Sequence, residues 1–391
     1  MNHLLAIYVH IPFCARHCAY CDFNTYVEKA HSQIVTQTVE AICTDLVNSS
    51  KDIYNGKPLS AREVSTVFLG GGTPTFLPAS QIREILDTIR SNYNLLPGAE
   101  ISSEANPASS DSEKFAVLFH SGFNRLSIGV QSFHNGLLQD LDRFHTAEEA
   151  ETALHSARKA GFENINLDLM FGLPNQNIAL WNQTLATAVH LNVPHLSLYS
   201  LTIEPGTRFE RLRAGGRLRL PEEDTEMEMY ESAITLLKSK GYEHYEVSAF
   251  ALPGYRCRHN LTYWNNQEYL GVGPGAVSFL DGRRWKRERL PKMYVEKIGT
   301  GTDLCVEEER LERSPALGET LFVGLRMLDG VSLKELDARF HVNSAALYAA
   351  QIEKLTKAGL VELSENMLRL THTGLLLADT VSMEFLPYPG I

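Results

Sequence analysis

The chain has 391 residues, 44% hydrophobic and 21% charged, with a formal net charge of −11: an ordinary globular composition whose acidity argues against a general nucleic-acid binder. No apolar run reaches the roughly 20 residues a membrane-spanning helix needs, and no signal peptide precedes the first strand-like run, so a cytoplasmic protein is expected, with peripheral membrane contact left open. Six cysteines, three of them bunched, read as metal ligands in a reducing compartment and not as a disulfide framework.

The first informative stretch comes at once. Residues 8–23 read YVHIPFCARHCAYCDF, a β-like run followed by Cys14, Cys18 and Cys21 at spacing C-x3-C-x2-C. Three thiolates on one tight loop can hold three corners of a four-iron, four-sulfur cluster and leave the fourth iron open. A zinc loop would want a fourth ligand nearby or a second Cys/His pair, and Cys43, Cys257 and Cys305 are scattered singly. Strand-like runs at 7–13, 65–71, 100–106, 125–132, 164–172 and 195–202 then alternate with helical patterns at 32–48, 79–94, 112–121, 147–160 and 178–191. Repeated βα units with apolar strands imply a parallel sheet with functional side chains at the strands' carboxyl ends. Six units fit a partial (β/α)6 barrel better than a closed eightfold one.

The second strand runs into Gly70-Gly71-Gly72-Thr73-Pro74-Thr75, which is either a tight connection or a place where backbone approaches a ligand. Glu104, Gln131 and Asp168 are single polar residues at successive strand ends. Each is either a hydrogen-bond hub or a contact to one shared ligand bearing hydroxyls and a cation, such as a ribose and a sulfonium. Arg143 is either a surface residue or a bidentate carboxylate clamp. Farther on, two basic clusters, Arg208 to Arg219 and Arg283 to Arg289, form solvated faces or anion-recognition surfaces. From about Pro315 the texture changes to helices at 333–340 and 344–358, a hairpin of 359–363 with 367–370, and a closing helix after Thr373. That order suggests a winged-helix-like α+β module. Residues 306–391 hold 8 Lys/Arg against 13 Asp/Glu, a net of −5, which opposes DNA binding and favours packing or partner docking. The expected divisions are a core barrel over 1–240, a connecting segment over 241–310 and the small module over 311–391.

The cysteine loop, the glycine turn, Gly129-Val130-Gln131-Ser132-Phe133 and residues 168–174 together resemble the coproporphyrinogen III dehydrogenase-like branch of radical S-adenosylmethionine (SAM) proteins, through essentially the whole chain. The heme chaperones of that branch match better than the porphyrinogen-decarboxylating enzyme. The enzyme has a fourth cysteine two residues after the third, where this chain has Phe23. It also has a longer N-terminal arm, where only seven residues precede Tyr8 here. His259-Asn260-Leu261-Thr262-Tyr263-Trp264 matches the family's HNxxYW motif, whose histidine is implicated in heme binding. The resemblance implies Cys14, Cys18 and Cys21 as cluster ligands. It implies Tyr8, Tyr20, Gly71, Gly72, Thr73, Glu104, Gln131, Arg143 and Asp168 as SAM contacts, and His259 as the heme residue. Arg256 and Arg258 are placed to pair with heme propionates, Tyr263 and Trp264 to stack on the macrocycle, and Cys257 is either a buried apolar residue or a second ligand. The expected cofactors are a [4Fe-4S] cluster with one open iron, SAM and heme. The expected partners are apo-heme proteins of the respiratory chain and no nucleic acid, with a homodimer left open. No catalytic residue is assigned, and whether SAM is cleaved is left open. The rival reading is oxygen-independent coproporphyrinogen III dehydrogenation or another radical modification of a tetrapyrrole, heme breakdown included.

Overall fold

Six strands, all apolar on at least one face, lie parallel and in chain order: β1 (Leu5–Ile11), β2 (Glu63–Gly71), β3 (Asn94–Ala105), β4 (Arg125–Gln131), β5 (Asn164–Phe171) and β6 (His195–Ser200). The computed structural model describes residues 4–54, 56–109 and 111–386. In β1 the odd positions Leu5, Ile7, Val9 and Ile11 are at most 1% exposed and pack under the helices, which frees Tyr8 and His10 for the opposite face. The helices between the strands bury a matching stripe. In α2 (Ala79–Asn92) it is aliphatic, Ile82, Ile85, Leu86 and Ile89 at helical spacing, and α1 (Gln33–Ser49) adds Thr38, Asp45 and Ser49 to its buried aliphatics. After α3 (Ser112–His120), α4 (Ala147–Ala160) buries Leu154 with Ala150, Ala153 and Ala157, three small residues that let it sit close to the sheet. Its start is fixed by a capping box between Thr146 and Glu149 and its end by Gly161 at φ 111°. Then come α5 (Ile178–His190) and α6 (Glu223–Ser239). The partial (β/α)6 array expected from the sequence is present.

Residues 243–310 widen the same sheet at both margins. β7 (Glu243–Glu246) and β8 (Ala249–Ala251) run antiparallel beyond β6. At the other margin β9 (Tyr269–Val272) pairs parallel with β1 and leads into β10 (Val277–Leu280), β11 (Arg283–Arg287) and β12 (Cys305–Arg310). The sheet has twelve strands in the order β7-β8-β6-β5-β4-β3-β2-β1-β9-β10-β11-β12. Between β8 and β9 lies α7 (Arg258–Trp264).

The basic cluster around Trp285 is matched across strands. Arg283 meets Glu308 at 2.8 Å, Arg284 meets Glu309 at 2.6 Å and Lys286 meets Glu307 at 3.6 Å. Arg287 turns inward instead and takes both oxygens of Asp45 on α1, at 2.6 and 2.9 Å, while the Tyr294 hydroxyl also donates to Asp45 at 2.6 Å. This buried group ties the sheet margin to α1. Asp45→Ala strands a buried guanidinium, so the expected cost is about 3–5 kcal/mol, read as a lower urea midpoint. A loss under about 1 kcal/mol would show that the margin does not depend on the pair.

After α8 (Pro291–Thr300) and α9 (Arg313–Gly324) the chain builds its small module: β13 (Val331–Ser332), α10 (Leu333–Phe340), then β14 (Val361–Ser364) and β15 (Met367–Leu370) in the order β13-β15-β14. The hairpin turn is Glu365-Asn366, both at positive φ (52° and 66°), as a two-residue turn of this twist requires. The helix expected over 344–358 is two, Ser344–Leu347 and Ala349–Lys357. Tyr348, buried against Phe385, leaves helical geometry between them. The closing helix is likewise two short ones, His372–Leu376 and Ala378–Met383. No helix among the described residues is long and apolar enough to cross a membrane.

Candidate functional site

Parallel strands point their carboxyl ends one way, so the residues at those ends meet. They line a cavity of about 570 Å³ that reaches from the loop after β1 down to Arg125 at the start of β4. Cys14, Cys18, Cys21, Tyr8, Tyr20, Gly71, Gly72, Thr73, Glu104, Gln131, Arg143, Asp168 and His259 all lie on its wall.

The cysteine loop hangs from the barrel by its backbone. The Ala19 N–H donates to Leu141 O at 3.0 Å, Ala19 O accepts from the Phe209 N–H at 3.0 Å, and the Cys21 N–H donates to Cys18 O at 3.3 Å. All three thiols are free and half-buried. Cys14 Sγ lies 3.5 Å from Thr73 Oγ1, and Arg143 Nη1 lies 3.5 Å from Cys18 Sγ. Burial raises the Cys14 thiol and pushes Cys21 up to about 11, so both hold protons at neutral pH until a metal displaces them. Among the described residues no three His, Cys, Asp or Glu side chains converge on one ion.

The glycine turn is a cradle. Gly71 sits at φ 109°, where a Cβ would meet the His10 ring at 2.5 Å, and a Cβ on Gly72 would meet Phe13 O at 2.6 Å. His10 is itself fixed, its Nδ1 to the Tyr8 hydroxyl and its Nε2 to Asn24 O, both at 3.0 Å. The Gly71 N–H donates to Glu104 Oε2 at 3.1 Å. Burial and the nearby Asp168 still push Glu104 up to about 8, so its carboxyl is neutral at pH 7. Asp168 is also raised by burial, against the pull of Ser127 Oγ at 3.0 Å and Asn166 Nδ2 at 2.8 Å. Gln131 takes a left-handed φ of 65° at the end of β4. Arg143 is half-buried and lines the same cavity, its Nε without a hydrogen-bond partner.

Behind the cavity wall Glu100 on β3 caps α7. It accepts from the Arg258 N–H at 3.1 Å and the His259 N–H at 3.0 Å, with Cys257 Sγ 3.7 Å away. Burial pushes the Cys257 thiol up to about 12 and the residue does not reach the cavity, so it packs as a small apolar group. His259 is 1% exposed. Its Nδ1 bonds Thr66 Oγ1 at 2.8 Å and its Nε2 bonds the Tyr263 hydroxyl at 2.9 Å. Burial, with Arg125 nearby, lowers its pKa to about 3 and keeps the ring neutral. Coordination of a metal by this imidazole requires the Tyr263 hydroxyl to let go.

The flanking groups lie elsewhere. Arg256 pairs with Glu243 and Asp329, Arg258 donates to Gly98 O at 2.9 Å, and Trp264 lies 4.7 Å under the Arg326 guanidinium; none of the three lines the cavity. Residues the sequence did not single out do line it, notably Arg125, Ser127, Asn166, Ser197 and the exposed Phe144. Their signal was the two-residue alternation of polar positions along β4 and β5.

Residues 8–188 match the family model for the radical SAM superfamily, and residues 311–377 match that for the HemN C-terminal domain. The solved structure of coproporphyrinogen III oxidase (HemN) from Escherichia coli, a radical SAM enzyme, superposes with a TM-score of 0.86 at 25% identity, covering 99% of this chain and 91% of that one. The heme chaperone HemW of Escherichia coli is 40% identical over 75% of this chain and 76% of its own. The mouse radical S-adenosyl methionine domain-containing protein 1, mitochondrial, is 33% identical over 98% and 87%. HemW of Bacillus subtilis is 38% identical over 97% of this chain and 98% of its own. With relatives that similar along nearly their whole length, the chain belongs to the HemW family of radical SAM proteins.

Proposed function

We propose that this chain is a heme chaperone: it binds heme in the cavity and passes it to apo-heme proteins of the respiratory chain. Cys14, Cys18 and Cys21 would hold a [4Fe-4S] cluster with one open iron. Tyr8, Tyr20, Gly71, Gly72, Thr73, Glu104, Gln131, Arg143 and Asp168 would hold SAM. The residues fit those groups. Three free thiols line the cavity with Gly71 and Gly72, and Arg143, whose Nη1 lies 3.5 Å from Cys18 Sγ, has an unpartnered Nε. When bound, a reduced cluster supplies electron transfer toward a sulfonium. The chain's part is to orient ligands on the strand ends and exclude water from them. Six free thiols suit a reducing compartment, and we place the protein in the cytoplasm.

The observation that carries the reading is the shared cavity. The cysteine loop and His259, Asn260 and Tyr263 of the HNxxYW motif all line it, and two aromatic rings of its lining are exposed, Phe23 at 64% and Phe144 at 58%. Arg16 sits 4.9 Å over the Phe144 ring. A planar apolar macrocycle with anionic edges suits such a lining.

The test is a heme titration of anaerobically reconstituted protein, read at the Soret band, for wild type and His259→Ala. Stoichiometric binding by wild type is expected. Removing the hub that fixes Thr66 and Tyr263 is expected to weaken it about ten- to hundredfold, as loss of supporting partners does in metal sites. Unchanged binding by His259→Ala would move heme away from the motif. No binding by wild type would sink the chaperone and favour the second reading, radical chemistry on a tetrapyrrole, which the close superposition on coproporphyrinogen III oxidase keeps in play. Formation of protoporphyrinogen IX from coproporphyrinogen III under reducing, anaerobic conditions would establish that rival.

A further inference from the structure

Arg125 opens β4 and is 2% exposed, one of the largest fully buried side chains in the protein. Its Nε is buried with no hydrogen-bond partner, and among the described residues no carboxylate forms a salt bridge with it. Glu100 and Asp168 are near enough to act on its charge. Both are engaged elsewhere, Glu100 with the amides that open α7 and Asp168 with Ser127 and Asn166. Enclosing a guanidinium is costly unless its donors are met, and five N–H groups in a planar fork suit a carboxylate. The side chain lines the cavity, so the guanidinium borders the space a ligand would occupy.

We propose that Arg125 is the anchor for a carboxylate arm of the cavity's ligand, a propionate of a tetrapyrrole. The proposal rests on the heme reading and places one propionate at the base of β4. The arginines beside the HNxxYW motif do not serve, since Arg256 is paired with two carboxylates and Arg258 with backbone carbonyls. The carboxylate of SAM is not the occupant either. Arg125 lies six residues before Gln131, about 20 Å along the strand from the cluster end, where Arg143 waits beside Cys18.

The experiment compares heme with heme dimethyl ester, which lacks both carboxylates, on reconstituted full-length protein. Wild type is expected to bind heme about ten- to hundredfold more tightly than the ester, as befits a charge-assisted hydrogen-bond pair. Arg125→Met is expected to bind both as weakly as wild type binds the ester, with SAM affinity unchanged, and Arg125→Lys to recover part of the preference. Equal binding of heme and ester by wild type would overturn the anchor while leaving the heme reading intact. Arg125→Met keeping the preference would also overturn it, as would its losing SAM in parallel. Wild type binding neither porphyrin would overturn both. If Arg125→Met does not fold, the ester comparison on wild type decides alone.

Discussion

Cys18→Ala, reconstituted with iron and sulfide in the absence of oxygen, is expected to lose its cluster, with iron affinity falling further than the roughly 10–100-fold that loss of an outer-shell partner costs. Arg143→Met, which removes the donor 3.5 Å from Cys18 Sγ, is expected to fall within that range. The loop itself should survive both changes, because backbone bonds from Ala19 to Leu141 and Phe209 hold it without help from sulfur. No other cysteine can step in. Cys43 lies on α1, Cys305 on β12, and Cys257 is sealed away as a protonated thiol, and none of the three reaches the cavity. Cys305→Ala is therefore the control and should keep wild-type iron. Iron and sulfide retained at wild-type levels by Cys18→Ala would refute the assignment of the loop.

The cysteine loop was legible because its information is local: three thiols within eight residues carry their meaning wherever the chain goes. The strands β1 to β6 were legible because the face under the helices demands an apolar residue at every second position, bounded by Gly, Pro or polar residues. The margins of the sheet were not. β7, β8 and β9 to β12 are three to six residues long, and β11 and β12 read as RRWKR and CVEEER, patterns that look like solvated charge until the two strands stand side by side. The same applies inside the cavity. Glu104 and Asp168 stood out as carboxylates in apolar strands, but Arg125 sits where a strand begins, a place where arginines are usually solvent-facing. Only the placement of Glu100, Asp168 and α7 around it shows that it is buried and unmatched. For His259 the motif gave the address. The structure adds that both ring nitrogens are already in use.

SAM affinity should depend steeply on pH, and Glu104 sets the sign. Its carboxyl, ordinarily near 4.5, is pushed up to about 8 by burial and then by Asp168. In the ligand-free protein it is therefore neutral at pH 7. A sulfonium placed beside it favours the ionised form, so binding on the proposed reading must release a proton. Below pH 8 affinity should rise about tenfold per unit and flatten above it. Glu104→Gln should hold the weak low-pH affinity throughout. Asp168→Asn should move the bend to lower pH, because it removes one of the charges that raises Glu104. Stability of the ligand-free protein runs the other way. A raised carboxyl stabilises nothing extra at acid pH, but its ionisation is opposed in the fold. Glu104's contribution is therefore fully present below about 4.5 and is lost as pH climbs through about 8, by an amount on the order of a few kcal/mol. Glu104→Gln carries no such charge and should be the more stable protein at pH 9, as read by urea unfolding. Equilibrium dialysis of SAM from pH 6 to 9, with the two variants alongside, checks the binding half. A flat wild-type profile would mean that Glu104 does not face the sulfonium, and the carboxylates of this cavity would then have to be explained by another ligand.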